Sequence, residues 1–110
     1  MSIDTAVIRG TLDLLILRVL TLEPMHGWGI SERIQSLSRE ALRAQQGSLY
    51  ASLHRLTREG WIRSSWQDTD SGRRARYYAL TRAGEKQAAI ETDQWRRLAA
   101  GVGRLISATS

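Results

Sequence analysis

Arginine is the residue type in this chain whose number and spacing indicate binding chemistry. The 110 residues carry 16 Lys and Arg against 11 Asp and Glu, and fifteen of the 16 basic residues are Arg. Nine of these arginines lie between residues 39 and 82, together with four acidic residues. A guanidinium group can grip a phosphate or the edge of a guanine with two parallel hydrogen bonds. The middle of the chain therefore indicates an anionic partner, with nucleic acid as the leading candidate.

Residues suited to catalysis or metal binding are sparse. The chain has no cysteine, which excludes disulfides, thiolate zinc sites and cysteine nucleophiles. His26 and His54 are the only histidines, and no glycine-rich phosphate loop is present. Asp68 and Asp70 resemble half of a calcium loop, but the remaining ligands are missing, so we expect them to form a turn. We expect no catalytic residue, no metal and no cofactor, and we interpret His26 as a turn or cap residue.

The spacing of apolar residues predicts the helices that position these side chains. Spacings of three and four predict a largely buried helix over residues 11–23, which Pro24 ends, and a second helix over residues 28–37. A third helix is predicted over residues 46–58, and Gly60 stops it. The residues between Pro24 and the second helix are expected to form a simple connection.

Two short strands and a long helix follow the third helix. Residues 61–67 and 76–80 are rich in aromatic and β-compatible residues and bracket a polar turn, which predicts a hairpin. Thr81 is expected to cap the final helix. The fold class is therefore mainly α with a small β-hairpin, the order of a winged helix-turn-helix followed by a long helix. The expected units are a winged helix-turn-helix over residues 1–80, a C-terminal dimerisation helix over residues 81–106 and a frayed tail over residues 107–110.

The third helix presents a face suited to the major groove of DNA. If Leu49, Leu53 and Leu56 face the core, the opposite side carries small and polar residues that allow close approach to base edges. Hydroxyl groups in its first turn are suited to phosphate, whereas Arg55 and His54 are suited to bases. The alternative is a solvated face without a ligand. The residues predicted to contact DNA are Gln46, Ser48, Tyr50, Ala51, His54, Arg55 and Arg58 on the helix, and Arg73, Arg74 and Arg76 on the hairpin.

Five segments of the chain together match a known pattern. They are residues 10–17 (GTLDLLIL), 25–30 (MHGWGI), 46–56 (QGSLYASLHRL), 72–78 (GRRARYY) and 80–84 (LTRAG). In this order the segments resemble the PadR family of bacterial transcriptional regulators, over roughly residues 8–98. The chain departs from the family at Trp28, where Tyr is common, and at Ala51, where Pro is common.

The resemblance implies a winged-helix dimer that binds operator DNA, usually as a repressor, with the third helix in the major groove. The final helix independently shows a seam of spacings of four and three, which predicts a homodimer. The seam consists of Gly84, Ala88, Glu91, Trp95, Leu98, Val102 and Leu105, and the last four are the predicted dimer contacts. The resemblance also implies a small aromatic effector beside Trp95; the alternative is that Trp95 only packs in the seam.

The function expected from the sequence is that of a cytoplasmic, sequence-specific regulator. It would bind an inverted repeat in double-stranded operator DNA as a dimer, repress transcription and be released by a small molecule. No membrane partner is expected, since Asp13 and Arg18 interrupt the longest apolar stretch. The alternative is a winged-helix module that binds an acidic protein through its basic hairpin without specific DNA readout. Duplex binding discriminates between the two.

Overall fold

The computed structural model describes residues 3–4 and 11–110, and within them it has four helices and five short strands. The helices are α1 (Thr11–Leu20), α2 (Gly27–Leu37), α3 (Gln46–Arg58) and α4 (Arg82–Thr109). The strands are β1 (Ile3–Asp4), β2 (Met25–His26), β3 (Leu42–Arg43), β4 (Ile62–Asp68) and β5 (Arg74–Leu80). The predicted class, mainly α with a small β-hairpin and a long final helix, is confirmed.

The first helix supplies the centre of the core but is shorter than predicted. Ile16 and Leu17 are fully buried. The helix ends at Leu20 instead of residue 23, and Thr21 turns back so that its hydroxyl donates to the carbonyl of Arg18 at 2.5 Å. Pro24 is the physical reason, because it disfavours helical backbone at the residue before it and the chain must leave the helix earlier.

The second helix begins at a histidine cap. His26 accepts a hydrogen bond through Nδ1 from the amide of Gly29 at 3.0 Å, which confirms its interpretation as a cap residue. Ile30 and Ile34 are buried as the apolar spacing predicts, whereas Leu37, placed on the same face from the sequence, is 60% exposed. The helix ends there, so this last side chain extends past the core.

The third helix has the predicted bounds and the predicted inner face. Leu49, Leu53 and Leu56 are all buried against the core. The helix ends before Gly60, whose φ of 79° lies in the left-handed region that glycine adopts without strain. The opposite face of α3 is therefore left at the surface.

The hairpin is longer than predicted and belongs to a three-stranded sheet. β4 and β5 pair antiparallel, and β2 pairs antiparallel with the other edge of β5, in the order β2-β5-β4. The predicted connection after Pro24 is thus a short strand, with Met25 opposite Tyr78. At the turn, Gly72 has a φ of 83° and Thr69 donates its amide to the carbonyl of Arg73 at 2.7 Å.

The final helix begins at the predicted cap. Thr81 accepts through Oγ1 from the amide of Gly84 at 3.0 Å and donates to the carbonyl of Gly60 at 2.6 Å. A Cβ built on Gly84 would lie 1.8 Å from the carbonyl oxygen of Trp61, so only glycine permits this close approach of helix and strand. The helix continues to Thr109, past the predicted end at Ile106 and through most of the tail expected to fray.

No helix within residues 11–110 is both long enough and apolar enough to cross a membrane.

Candidate nucleic-acid interface

The outer face of α3 is accessible over its whole length. The exposed residues predicted to contact DNA are Gln46, Tyr50, Ala51, His54, Arg55 and Arg58, and Ser48 is half-buried. Gly47 is exposed, and a Cβ built on it would meet no heavy atom within 4 Å. This face combines small residues with hydrogen-bonding side chains, which is what a helix entering the major groove requires.

Arg55 differs from its neighbours on this face because its guanidinium group is already bound. Its Nη2 lies 2.5 Å from Oδ1 of Asp13 on α1 and 3.3 Å from Oγ of Ser52. The side chain is therefore turned toward α1 instead of pointing away from the core. The spacing of α3 predicts Arg55 as a base contact and carries no sign of this ion pair.

A groove of about 770 Å³ separates the first turns of α2 and α3 from the hairpin. Its walls are aromatic and cationic. The aromatic side chains are Trp28, Tyr50, Trp66 and Tyr78, and the cations are Arg73, Arg74 and Arg76. All three predicted hairpin arginines thus line one groove together with Tyr50 of α3.

Arg76 lies between two aromatic residues of this groove and stacks on one of them. Its guanidinium carbon lies 5.2 Å from the centre of the Trp66 ring, which stands opposite it in the β4–β5 register. It also lies near Tyr78, two positions further along β5, and interacts electrostatically with that side chain. Burial raises the pKa of Tyr78, an effect that Arg76 partly offsets. Tyr78 is thus neutral at physiological pH, and the geometric contact that restrains Arg76 is the one with Trp66.

Tyr50 lies over the beginning of α2. A Cβ built on Gly27 would be 2.6 Å from the Tyr50 hydroxyl oxygen, so a side chain at Gly27 would displace the Tyr50 ring from this position. Tyr50 is exposed on its other side. The hydroxyl therefore stands at the helix N-terminus, where backbone amides and the helix dipole favour an anion.

Comparisons with known proteins agree with this geometry. A profile described as the transcriptional regulator PadR-like family matches residues 16–90. The chain belongs to the PadR-like family of transcriptional regulators. A PadR family regulator from Eggerthella lenta is 31% identical, with a TM-score of 0.74 over 92% of this chain and 86% of the other.

Two further relatives extend over most of this PadR regulator. A transcriptional regulator from Clostridium thermocellum superimposes with a TM-score of 0.80 at 27% identity, covering 90% of this chain and 96% of the other. An uncharacterised protein from Lysinibacillus sphaericus is 28% identical over 89 residues, which are 81% of this chain and 82% of the other. As in its family, the expected role is transcriptional regulation and not catalysis.

The last helix of the regulator carries an exposed apolar face. The predicted dimer contacts Trp95, Leu98, Val102 and Leu105 are all exposed, with Trp95 at 44% and Leu98 at 63%. The first two positions of the seam are not exposed. Gly84 and Ala88 are buried against the winged helix and are therefore not available to a second copy of the chain. The available seam therefore begins beyond Ala88.

Trp95 also borders a small apolar groove between α4 and α1. The groove encloses about 290 Å³, and Leu14 and Leu15 form its other wall. Arg18 and Arg96 also line it. Trp95, the residue predicted to contact an effector, therefore lines a groove that also contains two cationic side chains.

Several contacts of this interface were not predicted from the sequence. The stacking of Trp66 on Arg76 could have been found by counting the hairpin register outward from the turn, since the two positions are directly opposite. The contact of Tyr50 with Gly27 had no comparable sequence signal, because it depends on how α2 and α3 cross.

Proposed function

We propose that this PadR regulator binds operator DNA as a homodimer, with α3 in the major groove and the hairpin along the phosphate backbone, and that it represses transcription. The observation that carries the proposal is the groove that the first turn of α3 shares with the hairpin, because it brings Tyr50 and three arginines to one surface. Such a surface is complementary to the negative charge of DNA, and it is formed by both the reading helix and the hairpin, as in winged-helix proteins that bind DNA.

The outer face of α3 supports major-groove binding. A major groove about 12 Å wide accepts a helix when the facing side chains are small enough for close approach. Gly47 and Ala51 meet that condition, while His54 and Arg58 supply hydrogen-bonding groups at the surface. Tyr50 would then meet a phosphate at the start of α2 and set the register of the helix on the duplex.

The hairpin supports binding to the backbone. Arg73 and Arg74 are exposed beside the turn, and the guanidinium group of Arg76 lies over the Trp66 ring. Contacts of this kind supply affinity without reading the sequence, because every nucleotide carries a phosphate. A braced arginine loses less conformational entropy on binding than a free one.

The exposed apolar face of α4 supports the homodimer. Four large side chains at seam spacing stand in solvent beyond Ala88, and pairing with the same face of a second copy would bury them. Two reading helices about one DNA turn, roughly 34 Å, apart would then recognise an inverted repeat.

The groove beside Trp95 supports control by a small aromatic effector. A planar ring can pack on the indole, and Arg18 and Arg96 favour a ligand with a negative charge. The effector would release DNA by binding one dimer geometry more tightly than the other. We therefore expect an aromatic carboxylate to be a better ligand than the neutral compound with the same ring.

Titration of labelled DNA tests the proposal. A duplex from upstream of the gene and a shuffled duplex of equal length are titrated at several salt concentrations. We expect tighter binding to the upstream duplex and a steep loss of affinity with salt. Arg74→Ala should weaken binding to both, whereas Arg104→Ala on α4, which removes the same charge far from the groove, should change binding little. Weak and equal binding to both duplexes would favour the protein-interaction module instead.

The effector is tested separately on the preformed complex. Naphthoate and naphthol share one ring system and differ in charge, so we expect naphthoate to lower the DNA affinity at lower concentration. Trp95→Ala should abolish that response. If neither compound acts on a complex that is otherwise specific, the effector proposal is wrong while DNA binding stands.

A further inference from the structure

The ion pair between Asp13 and Arg55 links α1 to the outer face of α3. The two residues are 42 positions apart in the chain, and the distance between Nη2 of Arg55 and Oδ1 of Asp13 is 2.5 Å. The Asp13 side chain is 17% exposed and the Arg55 side chain 45% exposed. Ser52, which is buried, receives the second hydrogen bond from Nη2 at 3.3 Å. The pair therefore lies at the boundary between the core and the proposed DNA surface.

Both contacts of Arg55 use the same nitrogen of the guanidinium group. Arginine carries five N–H donors in a rigid plane, distributed over Nε, Nη1 and Nη2. Anchoring Nη2 restricts the orientation of the plane but does not consume the donors of the other two nitrogens. A guanine, which offers O6 and N7 side by side, could still be bound by those donors.

We infer that Asp13 is a positioning residue for DNA recognition, acting through Arg55. Its carboxylate holds the guanidinium group ready for a base edge and offsets its charge, so that Arg55 contributes little to binding an arbitrary phosphate. This inference rests on the proposed function, in which α3 enters the major groove. Its consequence is that Asp13 improves discrimination by weakening non-specific binding.

The expected effect follows from counterion release. Each phosphate that a protein neutralises on B-DNA adds about 0.9 to the slope of log affinity against log salt. In Asp13→Asn the charge of Arg55 is no longer offset, and the side chain becomes free to contact phosphate. We expect the non-specific slope to steepen by about 0.9, equivalent to about eightfold tighter non-specific binding for each tenfold reduction in salt.

Four proteins test the inference: the wild type, Asp13→Asn, Arg55→Ala and the double variant. Each is titrated with the shuffled duplex over a range of salt concentrations and with the upstream duplex at one of them. Asp13→Asn should steepen the non-specific slope and reduce the preference for upstream DNA about fivefold or more, the lower end of one bidentate base contact. The double variant should have the wild-type non-specific slope, since neither charge is present. Arg55→Ala should relax the sequence preference.

Asp93→Asn is the matched control for charge. Asp93 pairs with Arg97 at 3.0 Å on exposed α4, so the substitution changes the net charge equally but away from α3. It should leave the slope unchanged. Asp13→Glu keeps the carboxylate and should restore the wild-type slope, which a purely structural role would not require.

The outcomes separate this inference from the proposed function. If the wild type binds neither duplex, the proposed function fails. If it binds and Asp13→Asn leaves the slope unchanged, or the double variant is as steep as Asp13→Asn, the role of Asp13 through Arg55 is wrong.

Measurements on the wild type avoid dependence on how well a variant folds. The ¹⁵N resonances of the Arg55 side chain should stay unchanged on the shuffled duplex and shift on the upstream duplex. Equal shifts on both duplexes would overturn the inference.

Discussion

Replacing Gly84 with alanine tests how α4 is joined to the winged helix. The added Cβ would lie 1.8 Å from the carbonyl oxygen of Trp61 and 2.8 Å from its carbonyl carbon. Both atoms belong to the backbone, so no side-chain rotation can relieve the overlap. Ordinary contact begins at about 3.4 Å, which means that α4 and the backbone at Trp61 must separate by about 1.6 Å.

The magnitude follows from two opposing terms. Overpacking a well-packed contact costs about 1–3 kcal/mol and occasionally more, and a clash with backbone belongs at the upper end. Separation also strains the hydrogen bonds that Thr81 makes to Gly84 and Gly60. Alanine recovers up to about 1 kcal/mol through its higher helix propensity. We expect a net loss of about 2–3 kcal/mol, or roughly 10–20 °C in Tm for a chain of this size.

Gly103→Ala is the control on the same helix. Nothing lies within 4 Å of a Cβ built there, so only the propensity gain remains, and we expect a rise of about 1 kcal/mol. Circular dichroism at 222 nm, recorded at one fixed protein concentration, compares the three proteins. If Gly84→Ala melted at or above the wild-type temperature, the close approach of α4 to Trp61 would be refuted.

Three further predictions concern the hairpin and the helix cap. Arg73→Ala should weaken binding to upstream and shuffled DNA by similar factors in competition titrations, because a phosphate contact reads no sequence; a selective loss for upstream DNA would contradict this. Thr81→Ala should cost about 1–2 kcal/mol in urea denaturation, since it removes the bond from Gly84 and the bond to Gly60, whereas Thr81→Ser should cost less. Burial raises the pKa of Tyr78 in the folded state, so its contribution to stability is complete below about pH 10 and is lost as pH rises above that value. Tyr78→Phe should flatten this alkaline decline in urea denaturation, and an unchanged pH profile would show that another group causes it.

Local rules were sufficient for the parts of the fold that depend on neighbours in sequence. The bounds and inner face of α3 follow from a spacing of three and four, because each such residue returns to the same side of a helix. The caps at His26 and Thr81 are equally local, since each bonds an amide three residues later. The same rules overextended α1 by three residues, because the position of Pro24 limits the helix from beyond its end.

The strand at Met25–His26 could not be predicted from neighbouring residues in the sequence. Two residues cannot display an alternating pattern, and this strand exists because β5 offers a free edge after the chain has folded. The seam of α4 was likewise decided by packing between distant elements. Its spacing predicts one continuous apolar stripe, but the position of the winged helix covers Ala88 and leaves Trp95 exposed.

Composition and periodicity, which act over a few residues, were enough to predict the order of elements, the buried leucines of α3 and the arginine-rich hairpin. The family was recognised from the resemblance of five sequence segments. The ion pair of Arg55 became visible only in the packed fold. The contact of Trp66 with Arg76 follows from the hairpin register, but Arg55 meets Asp13 across 42 residues of chain. Side chains so far apart meet only when packing of the apolar cores fixes the angles between elements, and no local pattern encodes those angles.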